Sequence, residues 1–271
     1  MKKTENRKQK TEINLSVIII AKNEEEKLLD CLKSVKWVDE IIVVDNDSKD
    51  KTVEIAKKFG AKVYKAPDTL TLKYADLRNL GLKKATGKWV FYIDADERVT
   101  PELEDEILRL VSLAQDDKVV GGEHNAYAIP RRNIILGREM KHGGWWPDYV
   151  KRLFLRKSLE KWTGNVHEEP VYKGEMGHLK NHLVHIKHNK LEEMITKTNK
   201  WSEIEAKLMF DANHPKMNIV RFFTAMTREF WLRMIKHKAF LDGSEGIVYA
   251  LYQVWSKFIS YAKLWEMQNN D

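Results

Sequence analysis

Cysteine is almost missing. Cys31 is the one thiol among 271 residues, so an intramolecular disulfide is excluded, a reducing compartment is expected, and Cys31 itself reads as a small apolar residue of a helix. Long hydrophobic runs are missing too, for no apolar stretch approaches the roughly eighteen residues that span a bilayer. Met1-Lys2-Lys3 leads into a charged segment rather than a signal-peptide core, which points to a protein kept in the cytoplasm. No nucleic-acid-binding motif stands out either.

What the chain does have is charge and a regular alternation of patterns. Lys plus Arg number 47 against 40 Asp plus Glu, a net +7, which suits an anionic partner: a sugar nucleotide, a phosphorylated glycan, a lipid headgroup or nucleic acid. A 43% hydrophobic content leaves core enough for one large α/β domain with an appendage. Residues 1–12 are a basic tail, expected to be disordered. Leu15 to Ile20 reads as a buried β-branched strand, and Asn23 as the N-cap of a helix from Glu24 to Val35. A strand over Glu40 to Val44, a helix from Lys51 to a stop at Gly60, a short strand at Val63-Tyr64, a helix from Leu72 to Lys84 and a strand ending at Ile93 follow. This order predicts a mostly parallel sheet with right-handed crossovers.

Asp94-Ala95-Asp96-Glu97 leaves the last of these strands at its carboxyl end, where open α/β sheets bind ligands. Asp94 and Asp96 project from one face while the chain stays extended, and two hard oxygen donors suit a divalent cation that neutralises a diphosphate. Taken alone, the spacing fits an acidic turn equally well, since Thr100 is a good N-cap and Pro101 a good first helical residue.

The upstream residues decide between these readings. Ser16 to Asn23, then Val43-Val44-Asp45-Asn46-Asp47-Ser48-Lys49-Asp50-Lys51-Thr52, then Arg78-Asn79-x-Gly81-x-x-x-Ala85-x-Gly87, then Tyr92 to Glu97, together resemble the family 2 inverting glycosyltransferases over roughly residues 14 to 110. The resemblance implies a glycosyltransferase A-type, Rossmann-like α/β domain with a mostly parallel sheet, set at 13–190 and followed by an amphipathic helical extension over 191–271. It implies transfer of a hexose, with glucose expected, from a nucleoside diphosphate sugar, with UDP-sugar expected, assisted by Mg2+ or Mn2+. Ala21, Asn23, Glu24, Asp45, Lys73, Arg78, Asp94 and Ala95 then fall in the nucleotide-sugar site. Asp45 matches the residue at the base, Asp94 the one nearer the ribose, Arg78 a basic residue near the nucleotide and Asp96 the metal ligand. Glu97 departs from the third aspartate or the leucine of some relatives, and is expected to support the site from behind.

An inverting transfer is a single displacement, so it needs a general base on the acceptor hydroxyl. Gly164-Asn165-Val166-His167-Glu168-Glu169-Pro170 supplies candidates. Relatives of the lipopolysaccharide-core glucosyltransferase type carry a His-Glu at the matching place, and the resemblance implies Glu168 as the base, with His167 orienting it or contacting phosphate. Val171 stands where a zinc-protease motif needs its second histidine, so that chemistry is excluded. His178, His182, His185 and His188 have helix-compatible spacing, yet without cysteines or nearby carboxylates no structural zinc is expected. The resemblance places His185 near the metal or diphosphate. Trp145, Trp146 and Arg152 interleave aromatic and basic chemistry suited to a glycan acceptor.

Beyond Leu191 the pattern is helical. Ile219, Phe222, Phe223, Met226, Phe230 and Met234 share one face with Arg221 and Arg228 opposite, Asp242-Gly243-Ser244 breaks the run, and Val248, Leu251, Trp255, Phe258, Ala262 and Trp265 form a second stripe. These helices are expected to pack on the domain or on a second copy, with a competing reading as a peripheral dock on the inner face of the cytoplasmic membrane through Lys236, His237, Lys238, Lys257 and Lys263. The acceptor expected from the resemblance is a lipopolysaccharide core or another anionic, lipid-linked envelope glycan. Two rivals remain. A sugar nucleotidyltransferase needs a Gly-rich basic loop where this chain has Ala21-Lys22-Asn23-Glu24, and a nucleic-acid-binding protein needs steeply salt-dependent affinity for oligonucleotides.

Overall fold

Leu15–Ala21 forms β1, Glu40–Asp45 β2, Lys62–Lys65 β3 and Trp89–Asp94 β4, with α1 (Leu28–Ser34), α2 (Thr52–Lys58) and α3 (Tyr74–Lys84) as the crossovers. The computed structural model describes residues 15–67, 73–113, 124–164 and 168–270. The basic tail, Leu72 and His167 lie outside them. Strand β1 pairs in parallel with β2 on one side and β4 on the other, and β3 extends the row beyond β2. The expected parallel α/β order is therefore present, and chain order reverses direction across the sheet at β1, the place where such folds hold ligands.

Alternation along β1 explains its unbroken apolar run. Val17 and Ile19 pack with Leu28, Leu32, Leu103 and Ile107, whereas Ile18 packs with Leu77, Tyr92, Phe154 and Trp162 on the other face. Both faces of the sheet are covered, so neither can be polar. Cys31 is fully buried in the first cluster, as a small apolar helix residue should be, and burial pushes its thiol pKa up. Two glycines of the Arg78-to-Gly87 segment are required by close approach. A Cβ on Gly81 would lie 2.4 Å from Ile18 Cγ2, and one on Gly87 2.6 Å from the Ser16 backbone nitrogen.

Two local expectations need correction. Asn23 does not cap a helix. The chain forms a turn at 24–27, α1 starts only at Leu28, and Asn23 adopts a left-handed φ of 55° while its side-chain oxygen accepts from Lys49 N–H at 2.7 Å. Cross-loop bonding takes the place of capping because the neighbouring β2–α2 loop presents the Lys49 N–H to this side chain. Residues 97–99 are not merely an acidic turn, for Glu97–Val99 is a short strand, β5, ahead of α4 (Pro101–Leu113).

The remaining elements are β6 (Ala126–Ile135), β7 (Arg138–Met140), β8 (Asp148–Leu155), β9 (Leu159–Thr163), β10 (Glu169–Tyr172), β11 (Met176–His178), β12 (Leu183–His188), α5 (Leu191–Asp211), α6 (Ile219–Phe230), a π-helical turn (Trp231–Lys236), a 3-10 turn (Ala239–Asp242) and α7 (Gly243–Asn270). Strand β8 runs antiparallel to β4, and β9 and β10 form a separate hairpin. The chain divides into two compact units, Met1–Pro130 with Tyr149–Leu183, and Arg131–Asp148 with Val184–Asp271. This division differs from the boundary set at residue 190, because the segment 131–148 packs with the C-terminal helices. Ile135 and Met140 share a core with Met194 and Tyr249.

Within the second unit α7 packs on α5 and α6 around Ala206, Met217 and Leu264. The break at Asp242-Gly243 is an anchor. Asp242 is buried, accepts the His142 backbone N–H at 2.7 Å, and pairs with His142 Nδ1 at 2.7 Å. No described helix is long and apolar enough to cross a membrane.

Candidate active site

Strand register assembles the site in the first unit. Ala21 lies opposite Asp45 in the β1–β2 pair and Ile20 opposite Asp94 in the β1–β4 pair, so three strand ends deliver Ala21, Asp45 and Asp94 side by side. Asp45 is buried, and both of its carboxylate oxygens accept from Ser48 N–H at 3.3 Å. The loops after β1 and β2 are tied together, with Asn23 N–H donating to Ser48 Oγ at 3.0 Å and Glu24 N–H to Thr52 Oγ1 at 2.8 Å. Lys73 is exposed at the start of α3, where its backbone N–H donates to Asp76 at 3.2 Å.

The end of β4 is a knot of charge. Arg78, 5% exposed, donates from Nη2 to Asp94 Oδ1 at 3.2 Å, and from Nε and Nη2 to Glu168 Oε1 at 3.0 and 2.9 Å. Its guanidinium lies 4.9 Å from the Trp162 ring centre and 5.6 Å from that of Tyr92, a stacked setting that suits Arg and not Lys. Asn79 brackets Trp162, donating to its carbonyl at 2.9 Å and accepting its N–H at 2.7 Å. The helix, the hairpin strand and Arg78 are thereby held in one geometry. Sequence and structure together bring Arg78, Asp94 and Glu168 into contact, although Glu168 is 90 residues from Arg78.

Arg152 corrects the acceptor-cleft expectation. It is 4% exposed, its Nη2 is ion-paired with Asp94 Oδ2, and the same nitrogen donates to Glu97 Oε1 at 2.8 Å. Burial opposes the charge, but Asp94 and Glu97 more than offset it and raise the guanidinium pKa. A guanidinium so committed inside the unit is not presented to a glycan at the surface. Glu97, fully buried, turns back to accept the Asp94 N–H at 3.0 Å, and Arg98 clamps the turn through the carbonyls of Ala95 and Glu97, each at 2.8 Å. Ala95 is buried and Asp96, between the two clamped residues, is half-buried.

Tyr74 escaped the sequence reading. It lies one helical turn before Arg78, and its phenol pKa is raised by burial and by the Glu168, Asp94 and Glu24 carboxylates. The i, i+4 spacing from Arg78 was the available signal.

Trp145, Trp146 and His185 belong to the second unit. His185 Nδ1 lies 2.8 Å from Asn133 Oδ1, while Asn133 Nδ2 donates to Asp148 at 3.1 Å and to the Trp145 carbonyl at 3.2 Å. With the amide so oriented, His185 Nδ1 is the donor to Asn133 Oδ1. Arg131 donates to Asp148 at 2.7 Å, and although burial pushes the Asp148 carboxyl up, Arg131 and Asn133 bring its pKa below the usual value. The Trp145 ring is flanked by Lys187 Nζ at 4.4 Å and Arg233 at 5.2 Å, whereas Trp146 is exposed beside Arg132 at 5.7 Å.

Among the described residues no cluster of three or more His, Cys, Asp or Glu side chains forms a metal cage. The donor chemistry at Asp96 nonetheless fits Mg2+ or Mn2+, which are commonly held by one or two carboxylates together with substrate phosphates.

A family model described as glycosyl transferase family 2 matches residues 16–176. An uncharacterized glycosyltransferase of Rickettsia felis is 29% identical over 264 residues, covering 93% of this chain and 89% of that protein. A lipopolysaccharide core biosynthesis glycosyltransferase, LpsC, of Rhizobium meliloti is 27% identical over 264 residues, covering 93% and 92%. Among solved structures, residues 1–349 of S. aureus TarS with UDP-GlcNAc align at a TM-score of 0.48 and 14% identity over 93% of this chain and 88% of that one. The matched segment runs from β1 through β11 and takes in the whole carboxylate and arginine knot at the end of β4, and the chain belongs to glycosyl transferase family 2, an enzyme family of glycosyltransferases.

Proposed function

We propose that the protein is an inverting glycosyltransferase that moves a hexose, glucose in our reading, from a UDP-sugar to the core of a lipopolysaccharide or a related envelope glycan. The observation that carries this reading is the end of β4, where Asp94 is fixed by two buried guanidiniums and Asp96 follows it in a clamped turn. Full-length similarity to LpsC supports the acceptor class.

In this reading Asp45 accepts from the base, Asp94 holds the ribose side, and the Ala21 to Glu24 loop with Lys73 and Ala95 lines the rest of the donor pocket. The charge balance supports a cation. Arg78 and Arg152 are consumed by Asp94, Glu97 and Glu168, so neither is free to neutralise a diphosphate. Asp96 would hold a divalent ion, which would supply that neutralisation and stabilise the charge of the leaving diphosphate.

Glu168 is the base. Both Arg78 donors fall on Oε1, which fixes the carboxylate and leaves Oε2 for the acceptor hydroxyl. The proton moves to Glu168 as the acceptor oxygen forms its bond to the anomeric carbon and the bond to the diphosphate oxygen breaks, inverting the centre. His167 assists from the adjoining position. Trp146 offers an exposed ring for a sugar to stack on, with Trp145 behind it, and Arg152 acts by positioning Asp94 rather than by touching the acceptor. Such an acceptor lies at the inner face of the cytoplasmic membrane, where the enzyme works as a peripheral protein.

Glu168→Gln tests the assignment. The variant is expected to bind UDP with unchanged affinity by calorimetry and to lose transfer by about a hundredfold or more, the usual worth of a general base. Unimpaired transfer would move the base to Glu169 or Asp148.

A further inference from the structure

Helix α6 has two faces that its neighbours do not explain. On one side Ile219, Val220, Phe223 and Phe230 are 84, 64, 70 and 41% exposed, and Trp231, which opens the π-helical turn after α6, is 54% exposed. At about 100° per residue these positions share one flank, and Thr224, which lines the cavity beside α7, stands at its border. The side that adjoins this flank faces α7 across a cavity of about 550 Å³ lined by Arg221, Arg228, Glu229, Lys257, Tyr261 and His214 among others. Glu229, the one carboxylate of this set, is taken by Arg233 at 2.8 Å. No ion pair to Arg221, Arg228 or Lys257 occurs among the described residues. Lys257 Nζ instead sits 5.3 Å from the Tyr261 ring centre.

A cleft with three cations and one neutralised carboxylate attracts a dense anion, and phosphate is the group that Arg and Lys hold best together. The segment 215–241 as a whole carries Lys216, Arg221, Arg228, Arg233, Lys236 and Lys238 against Glu229 alone. That excess complements an anionic leaflet, and an exposed apolar flank on the same helix is what interfacial helices bury at the headgroup boundary. A soluble phosphorylated ligand would account for the cleft and leave the flank bare. A protein partner would cover the flank and leave the cations unpaired.

We propose that the α6–α7 cleft binds the phosphate of an anionic lipid headgroup while the apolar flank of α6 enters the same leaflet. The inference rests on the peripheral-membrane part of the proposed function, and not on the chemistry assigned to Asp96 or Glu168.

Sedimentation of the full chain with phosphatidylcholine vesicles, with and without phosphatidylglycerol, provides the test. Binding is expected only with phosphatidylglycerol. Arg221→Gln with Arg228→Gln should weaken it about thirtyfold, at roughly the worth of two bases near an anionic surface. Ile219→Ser with Phe223→Ser should also release the protein, and neither pair should change UDP affinity or the thermal midpoint. Equal binding to both vesicles, or undiminished binding of the arginine pair variant, would overturn the cleft assignment. Calorimetric binding of inorganic phosphate or glycerol phosphate without any vesicle binding would assign the cleft to a free phosphorylated ligand and overturn the lipid. Normal vesicle binding by a protein that fails to bind UDP would sink the proposed chemistry and leave this surface standing.

Discussion

Asp96→Asn is expected to lower sugar-nucleotide turnover by about a thousandfold or more, equivalent to about 4 kcal/mol of lost transition-state stabilisation. Asp96 is half-buried in the clamped turn that follows the Asp94 strand end, where Arg78, Asp94, Arg152 and Glu97 form their ion pairs. Replacing one of its oxygens with an amide removes a hard anionic donor without opening a cavity, and the thermal midpoint should move by no more than a few degrees. Because the neighbouring guanidiniums are committed to carboxylates, no other cation of the knot can take over the diphosphate charge. Side-by-side rates of nucleotide-sugar hydrolysis by the two proteins, in excess Mn2+, measure the effect. A variant that keeps most of its activity would remove Asp96 from the metal site.

The second large effect is on stability. Arg152→Met should destabilise the first unit by about 3–5 kcal/mol, the usual cost of removing one partner from a buried ion pair. Glu97 is fully buried and Arg152 holds it at 2.8 Å, so the loss takes a close counter-charge from a buried carboxylate. Asp94 retains Arg78 at 3.2 Å, which confines most of the cost to Glu97. Adding Glu97→Gln to the same chain should therefore recover a large part of the loss, since an amide oxygen still accepts the Asp94 N–H and no net charge stays buried. Urea unfolding of the four proteins of this cycle reads the coupling. Additive effects would show that Arg152 and Glu97 do not act as a pair.

The parallel core was legible in the sequence because its strands are buried on both faces. Continuous β-branched runs at Leu15 to Ile20 and Glu40 to Val44 have little other use. The placement of the candidate site residues Asp45 and Asp94 was legible at the same strand ends, where they follow their apolar runs directly. Asn23 misled because its residue type suits both a cap and a left-handed loop position, and only the neighbouring loop decides between them. Arg152 misled for a different reason. Its sequence neighbours are aromatic and basic, but its partners Asp94 and Glu97 are 58 and 55 residues away, and nothing local records that pairing. The same holds for Arg78 and Glu168. The apolar stripe of α6 was visible from its period, yet a period marks a face without saying what covers it.

The central claim is that the strand ends around Asp45, Asp94 and Asp96 form a metal-assisted site for a uridine nucleotide. Calorimetric titration of the protein with UDP, in Mn2+ and then in excess chelator, tests it most directly. The account predicts saturable one-to-one binding that weakens at least about tenfold without the metal, a loss of about 1.4 kcal/mol, and that becomes metal-independent in Asp96→Asn. Absence of UDP binding in Mn2+, or binding of equal strength with and without it, would contradict the account.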